Sequence, residues 1–202
     1  NIIPIMKTID SEILNKIKQG ENSLFREIIN EFGDKAFSLA FRILKHRQEA
    51  EDSVQEAFIR LYNAIKNGSY KGESKFSTYV YSIVYNTTVE FYRKIYTKNF
   101  NLITIDITEA RYIEGDELLR NYNSTNEKQE IKDIISNYIN NIPQQYSVIL
   151  TMYFINEMTL KEIADMLEIP MGTVKNRIFR AKEKLKELLL RDFTVDELKQ
   201  YA

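Results

Sequence analysis

The sequence predicts an all-α protein: two small helical domains joined by a flexible linker, the second carrying a helix-turn-helix. Three observations point there. Apolar residues recur in steps of three and four from residue 8 to residue 97, without strand-like alternation. Residues 98–126 lose that period and become polar and acidic. Residues 159–190, TLKEIADMLEIPMGTVKNRIFRAKEKLKELLL, combine a capping box, a proline turn and a striped helix. The expected boundaries are 1–97, 98–126 and 127–202.

In the first domain, Ile9, Ile13, Leu14 and Ile17 mark a helix ending near Gly20. Leu24, Ile28, Ile29, Phe32, Ala36, Leu39, Ala40, Ile43 and Leu44 mark a second, with Gly33 a tolerated flaw inside it. A third, from about Gln48 to Asn67, buries Ala50, Val54, Ala57, Phe58, Leu61 and Ile65. Its outer face carries Asp52, Glu56 and Asn63, flanked by Gln55 and Tyr62. The helix dipole accounts for acids near the helix start. It does not account for Ile59, which also points outward, and a mixed apolar and acidic strip suits a protein interface.

Asn67-Gly68-Ser69 and Lys71-Gly72 then punctuate a loop, and a fourth helix runs from Phe76 to about Thr97. Phe76, Val80, Ile83, Thr87 and Phe91 form its expected core face. Tyr81, Tyr85 and Tyr92 lie on another, joined by Asn86, Arg93 and Lys94. Aromatics interleaved with donors and cations suit unpaired bases, although a tyrosine stripe at helical spacing is more often packing.

The second domain opens near Glu127, where Ile131, Ile134, Ile135, Tyr138 and Ile139 mark a helix. Thr159 and Glu162 have capping-box spacing, so a short helix starts there, with Leu160, Ile163, Ala164 and Leu167 on one face. Pro170 ends it and opens the next helix. Val174, Ile178, Ala181, Leu185 and Leu188 form that helix's buried stripe. Opposite the stripe lie Gly172, Asn176, Phe179, Arg180 and Glu183, flanked by Thr173 and Lys175. Asn pairs with adenine, Arg with guanine, and an aromatic edge touches a thymine methyl. Lys175, Arg177, Arg180, Lys182, Lys184, Lys186 and Arg191 face only Glu183 and Glu187 in charge, so the helix is basic. A solvated basic helix is the plain alternative. Thr194 and Glu197 repeat the capping spacing and predict a short tail helix over 194–201.

At 202 residues and 44% apolar content the chain has material for two cores. The absence of cysteine excludes a disulfide framework and a cysteine zinc site, and His46 is the single histidine. No carboxylate cluster, metal-ligand spacing, phosphate-binding glycine loop or nucleophile–base pair is visible, so no enzyme activity, cofactor or metal is expected. No run approaches a membrane span, and the first residues lack signal-peptide features, so a cytoplasmic protein is expected. Residues 1–5 precede a natural-looking start at Met6 and read equally as a remnant or as a genuine extension. The net charge of −1 hides segregated signs.

The segment from Ile142 to Leu189 resembles the C-terminal promoter-reading domain of bacterial RNA polymerase sigma factors of the extracytoplasmic-function class. Pro143, Gln144 and Tyr146 fit its proline-initiated helix, and Gly172-Thr173-Val174-Lys175 its recognition-helix opening. The run Ala50-Glu-Asp-Ser-Val-Gln-Glu-Ala-Phe58 resembles the helix that docks on the coiled coil of the polymerase beta-prime subunit. Tyr70-Lys-Gly-Glu-Ser-Lys-Phe-Ser-Thr-Tyr-Val-Tyr81 resembles the segment that opens the minus-ten element and captures a flipped base. Tyr79 stands where tryptophan is common, and Ser82 and Tyr85 stand where arginines are common, whereas Asn86 matches.

The resemblance covers about residues 20–97 and 127–190 and implies a non-catalytic initiation subunit. Its implied partners are core RNA polymerase (the beta-prime coiled coil and the beta flap), promoter DNA and an anti-sigma factor. Thr173, Lys175, Asn176, Arg177, Phe179, Arg180 and Lys182 would read the minus-thirty-five duplex. Lys71, Ser74, Lys75, Tyr79, Asn86, Arg93 and Lys94 would hold the melted minus-ten strand. Asp52, Gln55, Glu56 and Ile59 would bind polymerase, and the linker would thread toward the active cleft. A stand-alone helix-turn-helix regulator is the alternative.

Overall fold

The computed structural model describes residues 11–96 and 127–194. Residues 1–5, Ile9, the linker at 98–126 and nearly all of the tail helix expected at 194–201 lie outside them. The chain divides into two compact units, Asn1–Phe100 and Asn101–Ala202. All secondary structure among the described residues is helical, as the periodicity predicts.

The first unit comprises α1 (Ser11–Gln19), α2 (Asn22–Leu44), α3 (Arg47–Lys66) and α4 (Phe76–Tyr96). Its core joins Leu39, Ala40 and Ile43 of α2, Ala57, Leu61 and Ile65 of α3, and Val80, Tyr81 and Val84 of α4. Ile17 anchors α1, whose last carbonyls accept from the Lys66 ammonium, Ile17 O at 3.4 Å and Lys18 O at 3.1 Å. A cation there meets the negative end of the helix dipole. Gly20, at φ 108°, makes the turn that ends α1. Arg42 is fully buried and donates to Ser38 O at 3.2 Å, and burial lowers its pKa to about 10.

The core face of α4 is rotated from the sequence expectation. It consists of Phe76, Val80, Tyr81, Val84, Thr87, Thr88 and Val89, while Ile83 and Phe91 are only half-buried. Two polar residue types explain the shift. The Tyr81 ring packs edge-on against Phe32, with centroids 5.8 Å apart, so it behaves as an apolar plate. Thr88 returns its hydroxyl to Val84 O at 2.7 Å and lies 3.3 Å from the buried Ser53 hydroxyl, which donates to Ala50 O. Satisfied hydroxyls of this kind pack like small apolar groups.

The second unit comprises α5 (Glu127–Asn140), α6 (Gln144–Leu150), a π-helical turn (Thr151–Ile155), α7 (Leu160–Leu167) and α8 (Met171–Asp192). Pro143 opens α6, as expected. Ile139, Ile149, Leu150, Met152, Ile163, Val174 and Ala181 fill the core. The π turn was not foreseen. It bonds Asn156 N to Thr151 O at 2.9 Å, and the extra residue swings Phe154 out to 44% exposure.

Candidate nucleic-acid interface

The helix-turn-helix is built by local chemistry. Thr159 caps α7: its hydroxyl accepts from Glu162 N at 3.2 Å, and the Glu162 carboxylate accepts from Thr159 N at 2.7 Å. This satisfies two amides that a helix start leaves open. Glu168 turns left-handed at φ 53°, Ile169 N returns to Ala164 O, and Pro170 starts α8 by accepting from Thr173 N at 2.8 Å and Val174 N at 3.2 Å. Val174, Ile178 and Ala181 then seat α8 on the core.

That seating decides what faces outward. Lys175, Asn176, Phe179, Arg180 and Lys182 are exposed together, Phe179 to 65%, whereas Thr173 and Arg177 are half-buried at the flank. These five residues therefore lie on the solvent side of α8, with Thr173 and Arg177 at its margin. Lys182 has a further neighbour that the sequence did not disclose. Its ammonium lies 5.3 Å from the Phe154 ring centroid and 5.7 Å from that of Tyr153, over the π turn.

The loop between α3 and α4 is held by Tyr70, a residue that sequence reasoning gave no role. Its ring packs on Phe76 at 5.4 Å and Tyr79 at 4.9 Å, and Phe76 in turn meets Phe32 at 6.1 Å. Gly72, at φ 77°, makes the turn at the tip, where Lys71, Ser74 and Lys75 are exposed. Along α4, Tyr79, Asn86 and Arg93 recur every seven residues and so share one stripe, drifting about 20° per repeat. Tyr79 is half-buried against Tyr70, while Asn86, Arg93 and Lys94 are exposed. From Tyr79 to Arg93 this stripe is about 20 Å long.

A second surface lies on α3. Asp52 and Gln55 are exposed, Glu56 is half-buried, and Ile59 is 50% exposed despite its apolar side chain. Gln55 and Ile59 form one wall of a groove with Val54, Phe58 and Tyr62, and Phe25, Ile29 and Gly33 of α2 form the other. The groove measures about 460 Å3, room for whole side chains of a partner. Phe25, Ile29 and Gly33 were not anticipated as part of this groove. The available signal was a glycine in mid-helix beside an apolar position, Ile29, that proves 40% exposed.

Residues 28–96 match the family description "Sigma-70 region 2", and residues 132–185 match "Sigma-70, region 4". These two parts in this order define a sigma factor of the sigma-70 type. The ECF RNA polymerase sigma factor SigW of Bacillus subtilis is 32% identical over 188 residues, covering 91% of this chain and 98% of that protein. The RNA polymerase sigma-H factor of Pseudomonas aeruginosa is 29% identical, with coverages of 89% and 93%. This chain belongs to the extracytoplasmic-function RNA polymerase sigma factors and is a sigma subunit of transcription initiation.

The same fold occurs in the sigma factor RpoE of Bartonella quintana, solved in complex with the anti-sigma factor NepR. The TM-score is 0.61 at 17% identity, over 84% of this chain and 98% of that one. CnrH, solved in complex with the cytosolic domain of CnrY, gives a TM-score of 0.56 at 16% identity, with coverages of 90% and 97%. A stand-alone helix-turn-helix regulator leaves the region 2 match without an explanation. Among the described residues, no cluster of three or more His, Cys, Asp or Glu side chains suits a metal, and no helix is long and apolar enough to cross a membrane.

Proposed function

We propose that the two units divide promoter recognition between them on the surface of core RNA polymerase. The α8 face, Thr173, Lys175, Asn176, Arg177, Phe179, Arg180 and Lys182, reads the minus-thirty-five element in the major groove. Lys71, Ser74 and Lys75 of the loop, with Tyr79, Asn86, Arg93 and Lys94 of α4, hold the melted minus-ten strand. Asp52, Gln55, Glu56 and Ile59 dock on the beta-prime coiled coil, with the adjoining groove receiving apolar side chains. The C-terminal unit also meets the beta flap, and residues 98–126 link the domains 1–97 and 127–202. The subunit is non-catalytic, acts in the cytoplasm and is restrained by an anti-sigma factor, as the complexes of similarly folded sigma factors suggest.

The observation that carries this reading is the exposed Lys175–Asn176–Phe179–Arg180 face in a chain whose other unit lines a half-buried Tyr79 with the exposed Asn86 and Arg93. Free protein should bind promoter duplex weakly, because a single small helix engages it. Core polymerase fixes both units at one spacing and converts two weak contacts into one strong one. Asn86→Ala should slow opening of ordinary duplex, followed by permanganate reactivity, and spare a pre-melted bubble. Nanomolar duplex binding by the free protein, or wild-type opening by the variant, would end the strand-holding assignment.

A further inference from the structure

Arg60 stands on α3 one turn beyond Glu56 and reaches across to α4. Its Nε donates to Glu56 Oε1 at 2.9 Å and its Nη1 to Glu90 Oε2 at 2.8 Å. Two edges of one planar guanidinium are thus occupied by carboxylates from different helices. The hydrogen bonds to Glu56 and then to Glu90 raise the Arg60 pKa above its ordinary value. By contrast, the pairs Glu12–Lys16 and Arg47–Glu51 each stay within a single helix.

The fork has little to offer stability. The Arg60, Glu56 and Glu90 side chains are 38%, 40% and 45% exposed, and water screens such pairs strongly. Its location is more telling. Glu56 sits one turn after Asp52 and three residues before Ile59, at the centre of the α3 docking strip. Glu90 sits on α4, away from that strip, between Asn86 and Arg93 of the strand-holding helix.

We propose that Arg60 is a positioning residue for polymerase docking: anchored by Glu90, it holds the Glu56 carboxylate in one orientation on the docking face. Glu56 Oε1 is engaged by Arg60, and Oε2 is left to face a cationic or hydrogen-bonding group of the partner. A free glutamate has to surrender its rotamers on binding, which weakens affinity about three- to tenfold relative to a pre-set one. Lysine cannot replace Arg60, because one ammonium on a flexible stem lacks the planar two-edged geometry. This inference rests on the docking role proposed for Glu56.

The test measures the affinity of full-length protein for core polymerase in a cycle of Glu56→Gln, Glu90→Gln and the double variant, with Arg60→Lys alongside. Glu90→Gln should weaken docking about three- to tenfold when Glu56 is present and leave it unchanged, within about 1.5-fold, in the Glu56→Gln background. Arg60→Lys should match Glu90→Gln, with melting temperatures unaltered throughout. Equal effects of Glu90→Gln in both backgrounds, shrinking with added salt, would mark a general charge effect and overturn the positioning role. If Glu56→Gln weakens docking but Glu90→Gln and Arg60→Lys do not, positioning fails and the docking role stands. If Glu56→Gln itself changes nothing, both fall.

Discussion

The Tyr70 hydroxyl donates to the backbone carbonyl of Ser74 at 2.6 Å and closes the tip of the loop between α3 and α4. The contact leaves Lys71, Ser74 and Lys75 displayed on a shaped turn rather than on a floppy one. Tyr70→Phe keeps the ring packing against Phe76 and Tyr79 and removes only this bond. Stability should fall by about 0.5–1.5 kcal/mol. Discrimination among bases in a melted bubble should fall more, because the loop must be ordered afresh on binding. Competition between bubble templates differing at one base, with polymerase present, measures the loss; unchanged selectivity would refute it.

On α8 the expected effects divide by position. Asn176→Ala and Arg180→Ala should each cost about 1–3 kcal/mol at one base pair of the upstream element and little elsewhere. Lys175→Ala should weaken all sequences alike and flatten the salt dependence. Lys182→Ala should do the same and also lower stability slightly, since its ammonium lies over Tyr153 and Phe154. Binding across a panel of single-base variants at several salt concentrations separates the two patterns.

Gly33 offers a variant with opposite effects on fold and docking. It lies inside α2, and a methyl group built there meets no atom within 4 Å. Gly33→Ala should therefore stabilise the first unit by about 0.5–1 kcal/mol. Gly33→Met would keep most of that gain while filling the groove, and should lower polymerase affinity. Calorimetry paired with a core-binding titration checks both; a filled groove with unaltered affinity would remove it from the interface.

The docking strip can be tested against the fold directly. Asp52→Lys with Ile59→Glu changes two exposed side chains, so circular dichroism and melting should hardly move. Core binding should be abolished. Unaltered affinity would exclude this face of α3.

An alkaline transition is expected in the second unit. Burial, followed by the hydrogen bond and charge of Asp192, pushes the Tyr138 pKa up to about 12 from the ordinary 10.0. The folded value lies above the unfolded one, so this stabilisation is fully present below pH 10 and disappears as the pH climbs toward 12. Tyr138→Phe should lower stability at neutral pH and reduce its decline across that window. Melting temperatures of both proteins through the window supply the measurement, and parallel declines would count against it.

What the sequence disclosed follows the range of the interactions involved. The capping box and the α8 stripe depend on residues three or four apart; the structure realises the box as read and buries Val174, Ile178 and Ala181 of the stripe, while Leu185 and Leu188, beyond the core, are only half-buried. The groove depends on Ile29 and Ile59 meeting from different helices, which no single-helix period encodes. Helical spacing places Tyr81 beside the core face, whereas its ring is buried against Phe32 of another helix, a contact that spacing within α4 does not encode. The π turn hides in the nearly uniform apolar run Val148-Ile-Leu-Thr-Met-Tyr-Phe-Ile155, where one residue too many per turn leaves no trace. The Arg60 fork is equally hidden from helical spacing, since its second carboxylate lies 30 residues away.

The 22 residues of α8 make a rod about 33 Å long, and it is restrained at two distant places. Near its start Val174, Ile178 and Ala181 are sunk in the core, and at its far end Asp192 accepts from Tyr138 while Phe193 meets the Tyr138 ring at 6.0 Å. A rod clamped off its axis at two places resists torque as well as bending. Rolling it by about 100° would put a neighbour of Asn176 in its place, so resistance to torsion keeps one register of side chains on the outward face.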